Sequence, residues 1–153
     1  MKSSMLKNLL LAGLLAVFCA GCGEHGEDDK LTPQELYVKG CRCYDAGDLS
    51  DAVGYFRQAA ERGHAKAQYR FGVCHFKGIV VPEDHGLAVY WWQKSAEQGY
   101  AEAQYELIMC YAKGDGIPRD LSKAYDWFRK YAKKKYTKEE FLRWLKEKIK
   151  DSI

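Results

Sequence analysis

The stretch from Ala52 to Lys123 is one pattern written twice, and this repetition constrains the fold more than any other feature. Ala52-Val53, Ala60-Glu61, Gly63, Ala65, Ala67-Gln68-Tyr69, Cys74, Lys77-Gly78, Pro82 and Asp84 recur 36 residues later. There they are Ala88-Val89, Ala96-Glu97, Gly99, Ala101, Ala103-Gln104-Tyr105, Cys110, Lys113-Gly114, Pro118 and Asp120. An ungapped match at about fourteen of 36 positions implies a unit of fixed length stacked on its own copy. An ordinary helical bundle requires no such period.

Each unit reads as two helices. Between Ala65 and Lys77, Ala67, Phe71 and Cys74 recur at spacings of three and four, which is one helix face. Gly78 and Gly114 stand where that helix should stop, and glycine accepts the left-handed cap. Pro82 and Pro118 fall in the loop, and Asp84 and Asp120 are placed as N-caps of a second helix. That helix carries Leu87, Ala88, Trp91, Trp92 and Ala96 and stops at Gly99. Trp91, Trp92, Trp127 and Phe128 are expected in the core between helices, where the alanines allow close approach.

Upstream, Lys2 and Lys7 precede an apolar run from Leu9 to Phe18, the layout of a secretory signal. The run is shorter than the ~20 residues a membrane span needs. Cys19-Ala20-Gly21-Cys22 resembles a lipobox, although Cys19 stands where such signals usually have an aliphatic residue. The resemblance implies lipidation at Cys22, a signal peptide over 1–22, and a lipid anchor in the bacterial cell envelope. Gly23 occupies the place where retained inner-membrane lipoproteins usually have Asp, so the implied destination is the periplasmic side of the outer membrane. A soluble periplasmic product is the alternative. Residues 23–31 are acidic and glycine-containing and read as a tether.

Thr32-Pro33-Gln34-Glu35 is a capping box with proline at the first helical position. It opens a first helix through Leu36, Tyr37, Gly40 and Tyr44, followed by a second from about Leu49 to Arg62. This unit has the spacing of a tetratricopeptide, with a loop four residues shorter than in the later units. Thr137-Lys138-Glu139-Glu140 is a second capping box. The helix it starts places Phe141, Leu145 and Ile149 on one face, suited to covering the last unit of a stack.

The segments Ala59-Ala60-Glu61-Arg62-Gly63-His64-Ala65-Lys66-Ala67-Gln68 and Ser95-Ala96-Glu97-Gln98-Gly99-Tyr100-Ala101-Glu102-Ala103-Gln104 are similar to the signature of Sel-1-like repeats. These are tetratricopeptide relatives with a longer loop, and the loops Gly78 to Asp84 and Gly114 to Asp120 match them too. The likeness covers roughly residues 36–132. Ile108 departs from it, standing where Gly72 supplies the usual helix glycine, and the third unit decays after Lys130. The expected architecture is an all-α, right-handed α-solenoid of three tetratricopeptide-like, Sel-1-like helix pairs. It occupies 32–135 and is closed by a C-terminal capping helix at 136–153.

The resemblance also implies a mode of action, a non-catalytic scaffold that binds a protein or peptide on the concave face lined by first helices. Tyr37, Tyr69 and Tyr105 fall at one repeat position, three before Gly40, Gly72 and Ile108, and should form a ladder. One turn on come Cys41, Val73 and Met109, then Tyr44, Phe76 and Ala112. The expected partner-binding residues are Tyr37, Tyr44, Tyr69, Val73, Phe76, Tyr105 and Met109, with Lys66, Arg70, Glu102 and Glu106 supplying charge beside them. Tyrosine contributes apolar area and a directional hydroxyl, which suits peptide recognition.

Besides Cys22, the segment after the signal holds Cys41, Cys43, Cys74 and Cys110. An exported location permits disulfides, and a bridge such as Cys43 to Cys74 competes with simple core placement. Cysteine-rich Sel-1-like proteins have two Cys in each repeat, and this sequence has one in each full repeat. Some members of that group carry β-lactamase or penicillin-binding assignments, which makes such an activity the alternative function. The S-x-x-K motif it would use occurs only at Ser4-Met5-Leu6-Lys7, within the signal. A metal set from Cys41, Cys43, Cys74 and His75 lacks any supporting spacing, so neither metal nor cofactor is expected. The C-terminal lysines, among them Lys130, Lys133 and Lys146, read as a solvated outer face. Removing Lys2 and Lys7 lowers the net charge from +3 to +1, and this near-balance and export together argue against nucleic acid as a partner. The chain is expected to act as a monomer anchored to the membrane through its lipid.

Overall fold

The computed structural model describes residues 28–133 and 135–150. The signal, the lipobox and Cys22 lie outside the described residues. A short 3-10 turn at Asp28–Lys30 precedes seven α-helices among the described residues. They are α1 (Pro33–Ala46), α2 (Leu49–Glu61), α3 (Ala65–Lys77), α4 (His85–Glu97), α5 (Ala101–Lys113), α6 (Leu121–Ala132) and α7 (Lys138–Lys150). The helices pack as three pairs, α1 with α2, α3 with α4 and α5 with α6. The pairs stack through α2 on α3 and α4 on α5, and α7 leans on α6. This is an all-α helical-repeat solenoid with a seventh helix at its end.

Local chemistry sets the helix ends. Thr32 and Glu35 exchange both bonds of a capping box, and Thr137 and Glu140 make the same exchange at α7. Asp84 and Asp120 cap α4 and α6 with their carboxylates. Gly78 and Gly114 close α3 and α5 in the left-handed conformation, with φ of 62° and 82°. The loop that follows is pinned identically in both units, Asp84 N–H donating to His75 O at 2.9 Å and Asp120 N–H to Tyr111 O at 2.8 Å.

Two buried glutamines explain part of the repeat signature. Gln68 Nε2 donates to Ala60 O and Gln104 Nε2 donates to Ala96 O, each at 3.1 Å. The acceptor is a last-turn carbonyl of the preceding helix, which also accepts the turn bond from Gly63 or Gly99 N–H. The glutamine thus ties the end of one pair to the start of the next. The space between paired helices is equally periodic. A Cβ on Gly40 would lie 2.7 Å from the Phe56 ring, and one on Gly72 would lie 2.6 Å from the Trp92 ring. Ile108 fills the third such position and is fully buried. Its counterpart ring, Phe128, lies against Tyr136, Phe141 and Trp144, in contact with the cap.

The buried residues form two clusters. Leu36, Cys43, Val53, Phe56, Phe71 and Cys74 belong to the first, and Trp92, Leu107, Ile108, Trp127, Phe128, Phe141 and Leu145 to the second. Trp92, Trp127 and Phe128 are core residues as expected, and Trp91 is half-buried against the first cluster. The four described cysteines are free thiols, so Cys43 and Cys74 are not bridged. Leu31, within the segment read as tether, packs on the first cluster and accepts a 2.8 Å hydrogen bond from Arg62.

Candidate functional site: the first-helix face

The tyrosines at the shared repeat position all sit half-buried on first helices, Tyr37 on α1, Tyr69 on α3 and Tyr105 on α5. They are interleaved with other rings. Tyr37 lies 4.7 Å from His64, centroid to centroid, and Tyr69 lies 5.3 Å from Tyr100. His64 and Tyr100 are the N-cap residues of the next first helix in each case. Tyr105 meets Tyr131 of α6 and Trp144 of α7, each at 6.0 Å. In each of the three units the shared tyrosine thus meets a ring from the neighbouring element.

Two clefts open along α3 and α5. One, about 400 Å³, is lined by Tyr69, Ala101, Glu102, Tyr105, Glu106 and Tyr131. The other, about 220 Å³, is lined by Phe76, Tyr105, Glu106, Met109, Cys110, Lys113 and Asp115. Tyr105 and Glu106 belong to both. Of the residues expected on this face, Tyr69, Phe76, Tyr105 and Met109 line clefts, Met109 as a nearly buried floor. Val73 is half-buried and packs on the second core cluster. Tyr37 and Tyr44 lie on α1, where Tyr44 is exposed with the Arg70 guanidinium 5.9 Å from its ring centre.

The face is electrostatically uneven. Burial pushes the Glu106 carboxyl above its ordinary range, while Lys113 and Lys77 pull it back. Burial and then Glu106 raise the Tyr69 hydroxyl, with Arg70 opposing. Burial and then Glu102 push Tyr100 up to about 12. These tyrosines are therefore neutral donors at physiological pH, set beside carboxylates that accept. The cysteines below the face are unreactive. Burial raises Cys74 to about 11 and Cys110 to about 12, so both are protonated thiols rather than nucleophilic thiolates.

Sel1 repeat sequences match residues 41–64, 65–100 and 101–136, more than half of the chain. The chain belongs to the Sel1 repeat family. A Sel1 repeat protein from Oxalobacter formigenes is 27% identical, with a TM-score of 0.66 over 76% of this chain and 92% of that one. A protective antigen of uropathogenic Escherichia coli with an SLR fold is 32% identical. It also has a TM-score of 0.66, over 70% of this chain and 24% of the antigen. Cysteine-rich protein B of Helicobacter pylori shares the fold at 20% identity and a TM-score of 0.56, over 74% of this chain and 92% of that one. Among curated sequences, DAP3-binding cell death enhancer 1 of Rattus norvegicus is 46% identical over 43 residues. That stretch is 28% of this chain and 8% of the relative's length. Sel1 repeat proteins generally act as protein-interaction scaffolds.

Sequence reasoning did not single out His64, Tyr100, Tyr131 and Trp144 as ring partners. The first two carried a signal, the shared position after Gly63 and Gly99. Tyr131 and Trp144 did not, because Tyr131 stands at the position of Ala59 and Ser95 and Trp144 follows the last repeat. Among the described residues, no group of three or more His, Cys, Asp or Glu is placed to hold a metal. No described helix is long and apolar enough to cross a membrane.

Proposed function

We propose that this Sel1 repeat chain is a non-catalytic adaptor of the bacterial cell envelope that holds a protein or peptide on the concave, first-helix face of its solenoid. The observation that carries the reading is the row of half-buried tyrosines, one per unit, with clefts along α3 and α5 between them. Rings fixed by neighbouring rings present area and hydroxyls with little loss of side-chain freedom on binding. The N-terminal signal and Cys22 support a lipid anchor that holds a single copy at the outer membrane, facing the periplasm.

The test is capture from envelope extract by the immobilised chain, beside a Tyr69→Ala/Tyr105→Ala variant shown to be folded by circular dichroism. One protein retained by the wild type and lost by the variant is expected. Equal retention by both would remove the groove from the account. Replacing Cys22 by Ser is expected to abolish labelling with a fatty acid, and unchanged labelling would end the anchor assignment. The chain is also expected to leave a chromogenic β-lactam intact.

A further inference from the structure

We propose that the cleft walled by Tyr69, Tyr105 and Tyr131 and flanked by Glu102 and Glu106 receives an arginine side chain from the partner peptide. The inference rests on the first-helix face being the binding face, and it names the chemistry that face selects.

Three observations carry it. The first is the composition of the wall. All three large side chains are tyrosines, and among the described residues the charged groups lining the cleft are Glu102 and Glu106. A guanidinium is planar, stacks on aromatic faces and presents a fork of donors that a carboxylate accepts in pairs. An ammonium shares the charge and lacks the plane.

The second is the contrast between units. Glu102 and Glu106 occupy the repeat positions held by Lys66 and Arg70 one unit earlier, and by Gln34 and Val38 in the first unit. The same stripe of the solenoid is therefore neutral, then basic, then acidic. The backbone and the tyrosine are the same in each unit, so the inversion of charge is carried by these side chains alone, Arg70 beside Tyr37 and Glu102 beside Tyr100. A partner lying along this face meets a carboxylate pair only at the third unit.

The third is the setting of the carboxylates. Glu106 is half-buried between the two clefts, and both glutamates act on the Tyr69 hydroxyl. Lys77 and Lys113 compensate Glu106 only in part, since its carboxyl remains above the ordinary range. A cation entering from the tyrosine side would supply the missing compensation. The cleft volume of about 400 Å³ accommodates the end of one long side chain together with its neighbours.

The probe is a fluorescein-labelled Gly-Ser-Gly-Arg-Gly-Ser-Gly peptide, compared with the same peptide carrying citrulline, a neutral isostere of arginine. Affinities for the purified chain are read by anisotropy at low salt, and tyrosine ring shifts by NMR. The arginine peptide is expected to bind roughly tenfold tighter than its citrulline twin. Its addition is expected to move the ring signals of Tyr69, Tyr105 and Tyr131. The E102Q/E106Q variant, which keeps the shape and the tyrosines, is expected to bind both peptides equally. Equal affinity in the wild type, binding of neither peptide, or a preference that survives E102Q/E106Q would each overturn the proposal. Agmatine binding as tightly as the peptide would assign the cleft to a free cation instead. The envelope capture described above is separate. Partner loss in Tyr69→Ala/Tyr105→Ala with no arginine preference would keep the binding face and remove the cation, and the reverse result would do the opposite.

Discussion

Two histidines show how single residues tie the repeats together, and they titrate in opposite directions. His64 caps α3 through Nδ1, which accepts from Ala67 N–H at 3.2 Å, while its Nε2–H donates to Gln34 Oε1 at 2.8 Å. Only the neutral ring can do both, and burial and then Lys66 hold its pKa down. Its contribution is present above the unfolded histidine value of ~6.5 and is lost as pH falls through the folded one. His85 lies at the start of α4, bonded through Nδ1 to Asp115 and through Nε2 to Glu83 at 3.0 Å, and stacked 4.3 Å from Phe76. Two carboxylate partners require the protonated ring, and Asp115 raises its pKa most, against burial and with help from Glu83. Its contribution is present below ~6.5 and is lost as pH rises through the folded value. NMR titration is expected to place His64 below 6.5 and His85 above it, and a reversed order would refute both bonding schemes. The loop carrying Asp115 makes a second residue-scale demand. Gly116 has φ of 70°, and a Cβ there would lie 2.4 Å from His85 O. Gly116→Ala is expected to destabilise by about 1–3 kcal/mol in urea unfolding. Gly54→Ala, on α2, where the added Cβ would meet no side chain or neighbouring element within 4 Å, is expected to stabilise by about 0.5–1 kcal/mol.

At the scale of elements, the period of 36 is a statement about which helix faces meet. Caps and glycine stops are local, so the helix boundaries could be read directly: Thr32, Asp84, Asp120 and Thr137 cap where their spacing indicated. Size complementarity is not local. Gly72 leaves room for a fully buried Trp92, whereas Ile108 at the same position is itself fully buried. The difference follows from which ring the partner helix supplies and where that ring leans, and neither is written in the helix that carries the residue. Gly72→Ala is expected to cost about 1–3 kcal/mol, because the Trp92 ring and the Ala88 carbonyl have no free space to yield. Ile108→Ala is expected to cost about 2–4 kcal/mol by leaving a cavity. Similar losses from opposite changes in volume at one repeat position would establish that each pair is packed to its own shape. The candidate site divides in the same way. Tyr69 and Tyr105 were legible because they repeat, while Tyr131 completes one cleft from α6 and Trp144 backs Tyr105 from α7, and neither stands at a position that repeats.

At the scale of the molecule, a solenoid has two ends, and its stability is a chain of neighbour interfaces rather than one central core. The α7 end is closed by rings. Phe128 lies 5.2 Å from Phe141 and 4.8 Å from Trp144, and Phe141 is almost fully buried. Phe141→Ala is expected to remove about 3–5 kcal/mol from the interface it serves. Because each unit packs chiefly on its neighbours, that loss should appear first where it is made. Hydrogen exchange is expected to accelerate at amides of α6 and α7 while α1 and α2 keep their wild-type protection. Uniform acceleration would mean that the two buried clusters unfold as one unit, and that the split between them has no energetic meaning. The cap also bears on the binding face, since Trp144 touches both Phe128 and Tyr105. Loosening α7 should therefore release the Tyr105 ring and weaken binding in the cleft, although Phe141 lines neither of the clefts between the tyrosines. A Phe141→Ala chain that keeps full affinity while α7 exchanges rapidly would show that the Tyr105 ring does not depend on Trp144 for its position.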